Sequence, residues 1–156
     1  MKKVLFTALL ATVVSLGASA QTRIGGMLGF GSEIETLGIG ALGEFMIKDN
    51  MGISPQLFFF FPKDDVSWFE VNANFNYYFM QDQVDLYGLA GLNIATVKVD
   101  RGPLEDYSDT EIGINLGLGL NFHLSNDNIK PFAELKYVIG DADQLAIFAG
   151  VKFLLP

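Results

Sequence analysis

Hydrophobic and polar residues alternate with a period of two along most of the chain after residue 20. The clearest segment, 69–79, carries Phe69, Val71, Ala73, Phe75, Tyr77 and Phe79 on one face and Glu70, Asn72, Asn74, Asn76 and Tyr78 on the other. Successive side chains of a β-strand point to opposite sides of the sheet, so this pattern predicts a strand with one apolar and one polar face. Residues 111–123 repeat the pattern, with Ile, Leu and Phe on one face and mainly Gly and Asn on the other.

Six further segments alternate less regularly and bring the predicted number of strands to eight. They are 23–31, 36–47, 52–61, 84–98, 129–139 and 144–154. Each is about as long as the 9 to 11 residues that a tilted strand needs to cross a membrane. The run Phe58–Phe61 interrupts the alternation in the third segment, so the sequence defines the facing of that strand least well.

The connections between these segments are of two alternating kinds. Tight, turn-like connections follow the second, fourth and sixth segments, at 48–50, 80–83 and 125–128. The other connections are longer or more acidic, at 32–35, 62–67, 99–110 and 140–143. Outer-membrane barrels have short periplasmic turns and longer external loops, so we expect Asp100–Asp109 to lie outside the cell.

The polar face indicates which side of the predicted barrel is the interior. It is dominated by Gly and Asn with few charges, whereas a water-facing exterior would be rich in Lys and Glu. This favours a narrow polar interior and an apolar, lipid-facing exterior over the reversed arrangement of a lipocalin-like barrel that binds an apolar ligand. The predicted lumen network consists of Arg23, Glu44, Glu70, Asn72, Asn74, Glu134, Lys136 and Lys152. These side chains predict a filled lumen, with a small-solute pore as the alternative.

Aromatic residues cluster at both ends of the fourth predicted strand. Trp68 and Phe69 lie at one end, and Tyr77 and Phe79 lie at the other. Membrane barrels carry girdles of aromatic side chains at both interfaces, so we expect these four residues to be interfacial.

The first twenty residues have the plan of a secretory signal: Lys2 and Lys3, an apolar run Val4–Leu16, and Ala18-Ser19-Ala20 before the cleavage point. This predicts a signal peptide over 1–20 and one domain over 21–156. Without Lys2 and Lys3, eight basic residues stand against 18 acidic ones, a formal net charge of −10. Such a charge disfavours nucleic acid as a partner. The absence of cysteine excludes a lipoprotein anchor and disulfide bonds.

The Gly-rich strand Gly113–Phe122 and the final segment Phe148–Phe153 resemble those of the small outer-membrane β-barrel families, namely the porin-like barrels and the OmpA- or OmpX-type domains. The resemblance implies an all-β, eight-stranded, antiparallel, up-and-down transmembrane barrel in the outer membrane of a Gram-negative-type bacterium. It also implies a monomer whose partners are outer-membrane lipid, lipopolysaccharide and the outer-membrane assembly machinery. The chain ends Leu154-Leu155-Pro156, whereas many such proteins end on Phe.

Candidate chemistry is sparse. His123 lies near Ser125 and Asp127, but turn formation explains that Ser-Asn-Asp-Asn stretch. Acidic residues at 64–65 and 105–111 match no calcium-loop spacing. We therefore expect no catalytic, cofactor-binding or metal-binding residue, and a non-enzymatic role in envelope structure or surface interaction through acidic loops. A membrane-embedded lipid-modifying enzyme is the alternative.

Overall fold

The computed structural model describes residues 21–156, and the predicted signal peptide lies outside the described residues. The strands are β1 (Thr22–Gly31), β2 (Thr36–Lys48), β3 (Met51–Lys63), β4 (Val66–Gln81), β5 (Val84–Val99), β6 (Tyr107–Phe122), β7 (Ile129–Gly140) and β8 (Gln144–Leu154). Each strand pairs antiparallel with the next, and β1 also pairs with β8, which closes the barrel. The predicted fold class is confirmed. No helix in the described part of the chain is long and apolar enough to cross a membrane.

The β5–β6 hairpin is longer than the sequence predicts. Its ladder runs from Val84 paired with Phe122 to Val99 paired with Tyr107, so the connection is 100–106 rather than 99–110. The extension is rich in β-branched and aromatic residues, which favour strands. The Oγ1 atoms of Thr96 and Thr110, 3.2 Å apart, join its two strands further.

The two faces of the strands differ sharply in exposure. Large apolar side chains point outward, as in Leu28 (63% exposed) and Ile112 (71% exposed), whereas Glu44 and Asn76 are completely buried in the lumen. The third strand follows the same rule, since Phe58 and Phe60 are buried while Phe59 and Phe61 are exposed. An apolar exterior and a polar interior are the reverse of the lipocalin-like arrangement.

The barrel has two distinct ends. We call the end that carries Thr22 and Leu154 the turn end; it also holds the β2–β3, β4–β5 and β6–β7 connections. The opposite end, the loop end, holds the other four connections. There Asp64 and Asp65 form a two-residue hairpin turn, with φ angles of 51° and 63° that Asp tolerates better than most residues.

Glycines on β1 and β2 make room inside the barrel for aromatic side chains of other strands. A Cβ atom at Gly29 would lie 2.4 Å from the Phe148 ring, and one at Gly38 would lie 2.5 Å from the Phe58 ring. Real Cβ atoms do not approach other atoms so closely. The glycine-rich wall of β1 and β2 and the inward aromatic side chains of the flanking strands β8 and β3 therefore complement each other.

Candidate functional site

The lumen contains a buried charge cluster near the turn end, centred on Glu44. Nη1 of Arg23 donates a hydrogen bond to one Glu44 oxygen at 2.9 Å, and Nζ of Lys152 lies 3.4 Å from both oxygens. The Tyr78 hydroxyl and Nδ2 of Asn76, the latter at 3.0 Å, also donate to this carboxylate. Two basic groups and two neutral donors therefore compensate for the burial of one carboxylate.

A second carboxylate, Glu134, lies deeper in the lumen and is held by neutral donors. The Tyr87 hydroxyl donates to it at 2.8 Å and Nε2 of Gln56 donates at 3.1 Å. Nζ of Lys152 lies 3.4 Å from the same Tyr87 hydroxyl, and this contact joins Glu134 to the Glu44 cluster. Within residues 21–156 no basic side chain forms an ion pair with Glu134.

The third carboxylate, Glu70, lies closest to the loop end. Nε2 of Gln144 donates to it at 2.7 Å, and Nζ of Lys136 lies 3.8 Å from its other oxygen. Lys136 is completely buried, and its ammonium group stands 4.7 Å from the centre of the Phe148 ring. This cation–π contact supplements the long ion pair.

Asparagine side chains connect the strands between these carboxylates. Nδ2 of Asn93 and Nδ2 of Asn115 both donate to Oδ1 of Asn72 at 2.8 Å, and Nδ2 of Asn115 also donates to Asn74 at 2.7 Å. All four side chains are buried. They form a ladder of amides across β4, β5 and β6, so polar side chains fill this part of the lumen.

The turn-end mouth holds the one histidine of the chain. Nε2 of His123 lies 2.7 Å from Asp85, and Nζ of Lys130 lies 3.6 Å from the other Asp85 oxygen. In the described part of the chain, no hydrogen bond joins His123 to Ser125 or Asp127. His123, Ser125 and Asp127 are therefore not arranged as a catalytic triad.

The loop-end half of the lumen contains an aromatic cluster. The ring centroids of Phe58 are 4.7 Å from Phe60 and 4.9 Å from Phe148, and those of Phe60 and Trp68 are 6.3 Å apart, all in edge-to-face geometry. Ile34, from the β1–β2 connection, is buried against the same cluster. Aromatic rings and an aliphatic side chain therefore pack together at this end of the lumen.

The prediction that Trp68 is interfacial is wrong. Trp68 is only 6% exposed, because it shares the inward face of β4 with Glu70 and packs on Phe60. The other three predicted interfacial aromatics, Phe69, Tyr77 and Phe79, are exposed on the outer surface.

The eight predicted lumen residues are all buried inside the barrel, where the structure joins them through partners that the sequence analysis did not single out. These partners are Gln56, Asn76, Tyr78, Tyr87, Asn93, Asn115 and Gln144. The alternation of inward and outward positions along each strand could have identified them, since Tyr87 and Asp85 share the inward face of β5 with Asn93. Within residues 21–156 no group of three or more His, Asp or Glu side chains could hold a metal ion.

No protein-family model matches the chain, and no curated protein matches it in sequence. Solved structures do match. The barrel is similar to the N-terminal β-barrel domain of Pseudomonas aeruginosa OprF, with a TM-score of 0.74 at 16% identity over 86% of this chain and 97% of that one. It is also similar to OprG of the same organism, with a TM-score of 0.67 at 14% identity over 90% and 98% of the two chains.

A third similar structure is Ail, the attachment invasion locus protein of Yersinia pestis, with a TM-score of 0.60 at 16% identity over 86% of this chain and 96% of that one. At such identities the likeness concerns the fold, and all three relatives are eight-stranded barrels of the outer membrane. The closed eight-stranded ladder and the apolar exterior agree with that likeness. The chain therefore has the fold of the small eight-stranded outer-membrane β-barrels.

Proposed function

We propose that the protein is a non-enzymatic barrel of the outer membrane of a Gram-negative-type bacterium, that its lumen is closed, and that it acts through its acidic loop end and its outer wall. The observation that carries this proposal is the filling of the lumen. The buried side chains of Glu44, Glu70 and Glu134 with their partners occupy much of its length, and the aromatic cluster and Ile34 occupy the loop-end part.

A pore is the first alternative, and the packing of the lumen opposes it. The interior of an eight-stranded barrel is just wide enough to be filled by side chains. Here Lys136, Lys152, Tyr87, Phe58 and Phe60 are among the largest completely buried side chains. An ion that crossed this lumen would have to separate the Glu44 ion pairs and displace the aromatic cluster, and breaking buried ion pairs is costly.

An enzyme is the second alternative, and the geometry of the histidine opposes it. His123 is engaged with Asp85 at the turn-end mouth, and Lys130 shares that carboxylate. The three groups form a polar cluster around the Asp85 carboxylate. Acyl transfer or hydrolysis needs a nucleophile within hydrogen-bonding distance of its base, and this cluster does not supply one.

The loop end supports a role in surface contact. It displays the acidic residues Glu33, Glu35, Asp64, Asp65, Asp100, Glu105, Asp106, Asp109, Glu111, Asp141 and Asp143, and the basic residues Lys63, Lys98 and Arg101. Ail has been solved in complex with a heparin analogue, sucrose octasulfate, which is a polyanion. The acidic loop end of this chain would repel such a ligand, so a cationic surface, or lipopolysaccharide phosphates bridged by divalent cations, fits its charge better.

Two measurements test this proposal, one on the refolded protein and one on a deletion strain and its parent. Liposomes that contain the refolded protein should swell in isotonic sugar no faster than protein-free liposomes, and lipid A from a deletion strain should have the same mass spectrum as lipid A from its parent. Rapid swelling would establish a pore and overturn the closed lumen. A lipid A species that disappears on deletion, and returns with the wild-type gene but not with His123→Ala, would establish an enzyme.

A further inference from the structure

The outer wall of the barrel has an apolar groove that the lumen network does not explain. Its volume is about 370 Å³, and it lies across β4 to β8. Its lining consists of Phe79, Leu86, Tyr87, Leu118, Gly119, Leu120, Ala133, Glu134, Leu135 and Ile147. We call this recess the wall groove.

Residue size along the strands explains why a groove forms here. Leu118, Leu135 and Ile147 are exposed and lie side by side in register on β6, β7 and β8, so they form one side of the groove. On the next outward-facing row, Leu120 pairs with Ala133, and both are only partly exposed. On β8, Ala133 pairs with Ala149, so this row carries two methyl groups where the row before it carries Leu135 and Ile147, and the surface is recessed at that point.

The floor of the wall groove is packed against side chains inside the barrel. Behind it lies Gly119, and the ring of Tyr87 covers the inner side of that glycine so closely that a Cβ atom there would be 2.1 Å from the ring. The Tyr87 hydroxyl is in turn fixed to Glu134 at 2.8 Å. Tyr87 and Glu134 thus hold the wall from inside, and the groove is preformed.

The position of the groove along the barrel determines what can occupy it. Leu120 is two residues from the end of β6, and Leu86 is two residues from the start of β5. At about 3.4 Å per residue, this edge of the groove lies within roughly 10 Å of the turn end, and the part lined by Leu135 and Ile147 extends further along the strands. It is a recess in the continuous apolar outer surface of the barrel, at a depth where the acyl chains of one leaflet pass the protein.

We propose that the wall groove binds one acyl chain of a phospholipid from the leaflet at the turn end. The lining is almost wholly apolar, so the groove offers no hydrogen bond to a polar ligand. The surrounding lipid is as apolar as the groove, so hydrophobicity alone does not draw an acyl chain into it. The acyl chain prefers the groove because it makes van der Waals contacts there that a chain in bulk lipid does not make. This inference rests on the proposed membrane location, and it adds a specific lipid site to it.

Native mass spectrometry of the intact barrel tests the proposal. The protein is refolded into vesicles of phosphatidylethanolamine and phosphatidylglycerol and extracted in mild detergent, and the mass of the intact complex is measured. Wild type should retain one phospholipid per barrel. Ala133→Trp, which fills the groove, should lower that occupancy at least five-fold, whereas Ala41→Trp, an exposed outward-facing alanine on β2, should leave it unchanged.

Three results would overturn the proposal: equal occupancy in all three proteins, no retained lipid in wild type, or a dimer mass that Ala133→Trp abolishes, which would assign the groove to a second copy. If Ala133→Trp does not refold, Leu118→Ala removes one side of the groove and should lower occupancy in the same way. A shift between unheated and boiled samples on a denaturing gel reports refolding separately. A barrel that never enters the vesicles therefore contradicts the membrane location, and an inserted barrel without lipid contradicts the groove alone.

Discussion

Nζ of Lys152 lies 3.4 Å from both carboxylate oxygens of Glu44, although 108 positions separate the two residues in the sequence. Lys152 is on the last strand and Glu44 is on the second, with β1 between them. The ion pair therefore spans the seam where the barrel closes. Arg23, on β1 itself, binds the same carboxylate.

Removal of the Glu44 charge should destabilise the barrel strongly. Glu44→Gln leaves Arg23 and Lys152 buried without a counter-charge, and breaking a buried pair in this way costs about 3 kcal/mol or more. Urea unfolding in lipid vesicles would measure the loss. Glu33→Gln, at an exposed loop position, should change the free energy of unfolding by less than about 0.5 kcal/mol. Equal stability of the two variants would show that the Glu44 cluster does not support the seam.

The close contact between Gly119 and Tyr87 predicts a sharp difference between two glycine substitutions. Gly119→Ala should displace the Tyr87 ring from its place beside Glu134 and destabilise the barrel by about 1 to 3 kcal/mol. Gly88→Ala, at an outward position with nothing within 4 Å of the added Cβ, should be close to neutral. The comparison uses the same unfolding assay, and a neutral Gly119→Ala would contradict the packing of Tyr87 on the wall.

Phe59 and Phe60 are adjacent in sequence but lie on opposite sides of the wall. Phe60 is completely buried in the aromatic cluster, and Phe59 faces outward. Phe60→Ala should cost about 3 to 5 kcal/mol through the cavity that it leaves, and Phe59→Ala should cost clearly less. A larger loss for Phe59→Ala than for Phe60→Ala would contradict the assignment of Phe60 to the inner face of β3 and Phe59 to its outer face.

Much of this architecture could be predicted from the sequence, because alternation with a period of two is a direct consequence of strand geometry. The segments 69–79 and 111–123 defined the faces, and charges such as Glu70 and Lys136 marked the inside. Aromatic side chains have no charge that would indicate which way they face. Trp68 packs inside the barrel, yet its hydrophobicity is equally compatible with a lipid interface.

Glycine was the signal that could have placed these aromatic residues. The inward positions of β1 and β2 near the loop end are Gly29, Gly31, Gly38 and Gly40, which leave that side of the lumen without side chains. A filled lumen then requires large residues from other strands to occupy the space, and Phe58 and Phe148, from the neighbouring strands β3 and β8, do so. Pairwise partners such as Gln144 and Glu70 depend on the register and closure of the whole barrel, so no local pattern could reveal them.

An exposed ion pair at the loop end predicts a pH effect. Nζ of Lys63 lies 2.8 Å from a carboxylate oxygen of Glu35, and this hydrogen bond, with the charge of Lys63, lowers the pKa of Glu35 below its usual 4.5. A lowered pKa in the folded state means that the ion pair contributes to stability at pH values above the usual pKa. This contribution is lost as the pH falls through the lowered pKa of the folded state. Carboxyl NMR titration should show a pKa below 4.5 in wild type that returns towards 4.5 in Lys63→Met. The same titration curve in both proteins would show that Lys63 does not interact with Glu35.

The central claim is that this outer-membrane-type barrel is closed, and planar-bilayer recording tests it most directly. Wild-type protein is inserted from detergent, and its insertion is verified on the same preparation by the gel shift between unheated and boiled samples. Because the Glu44 cluster and the aromatic cluster fill the lumen, the current should remain at the level of the protein-free bilayer. Stable steps of uniform conductance that vanish when the protein is boiled before addition would contradict the closed lumen.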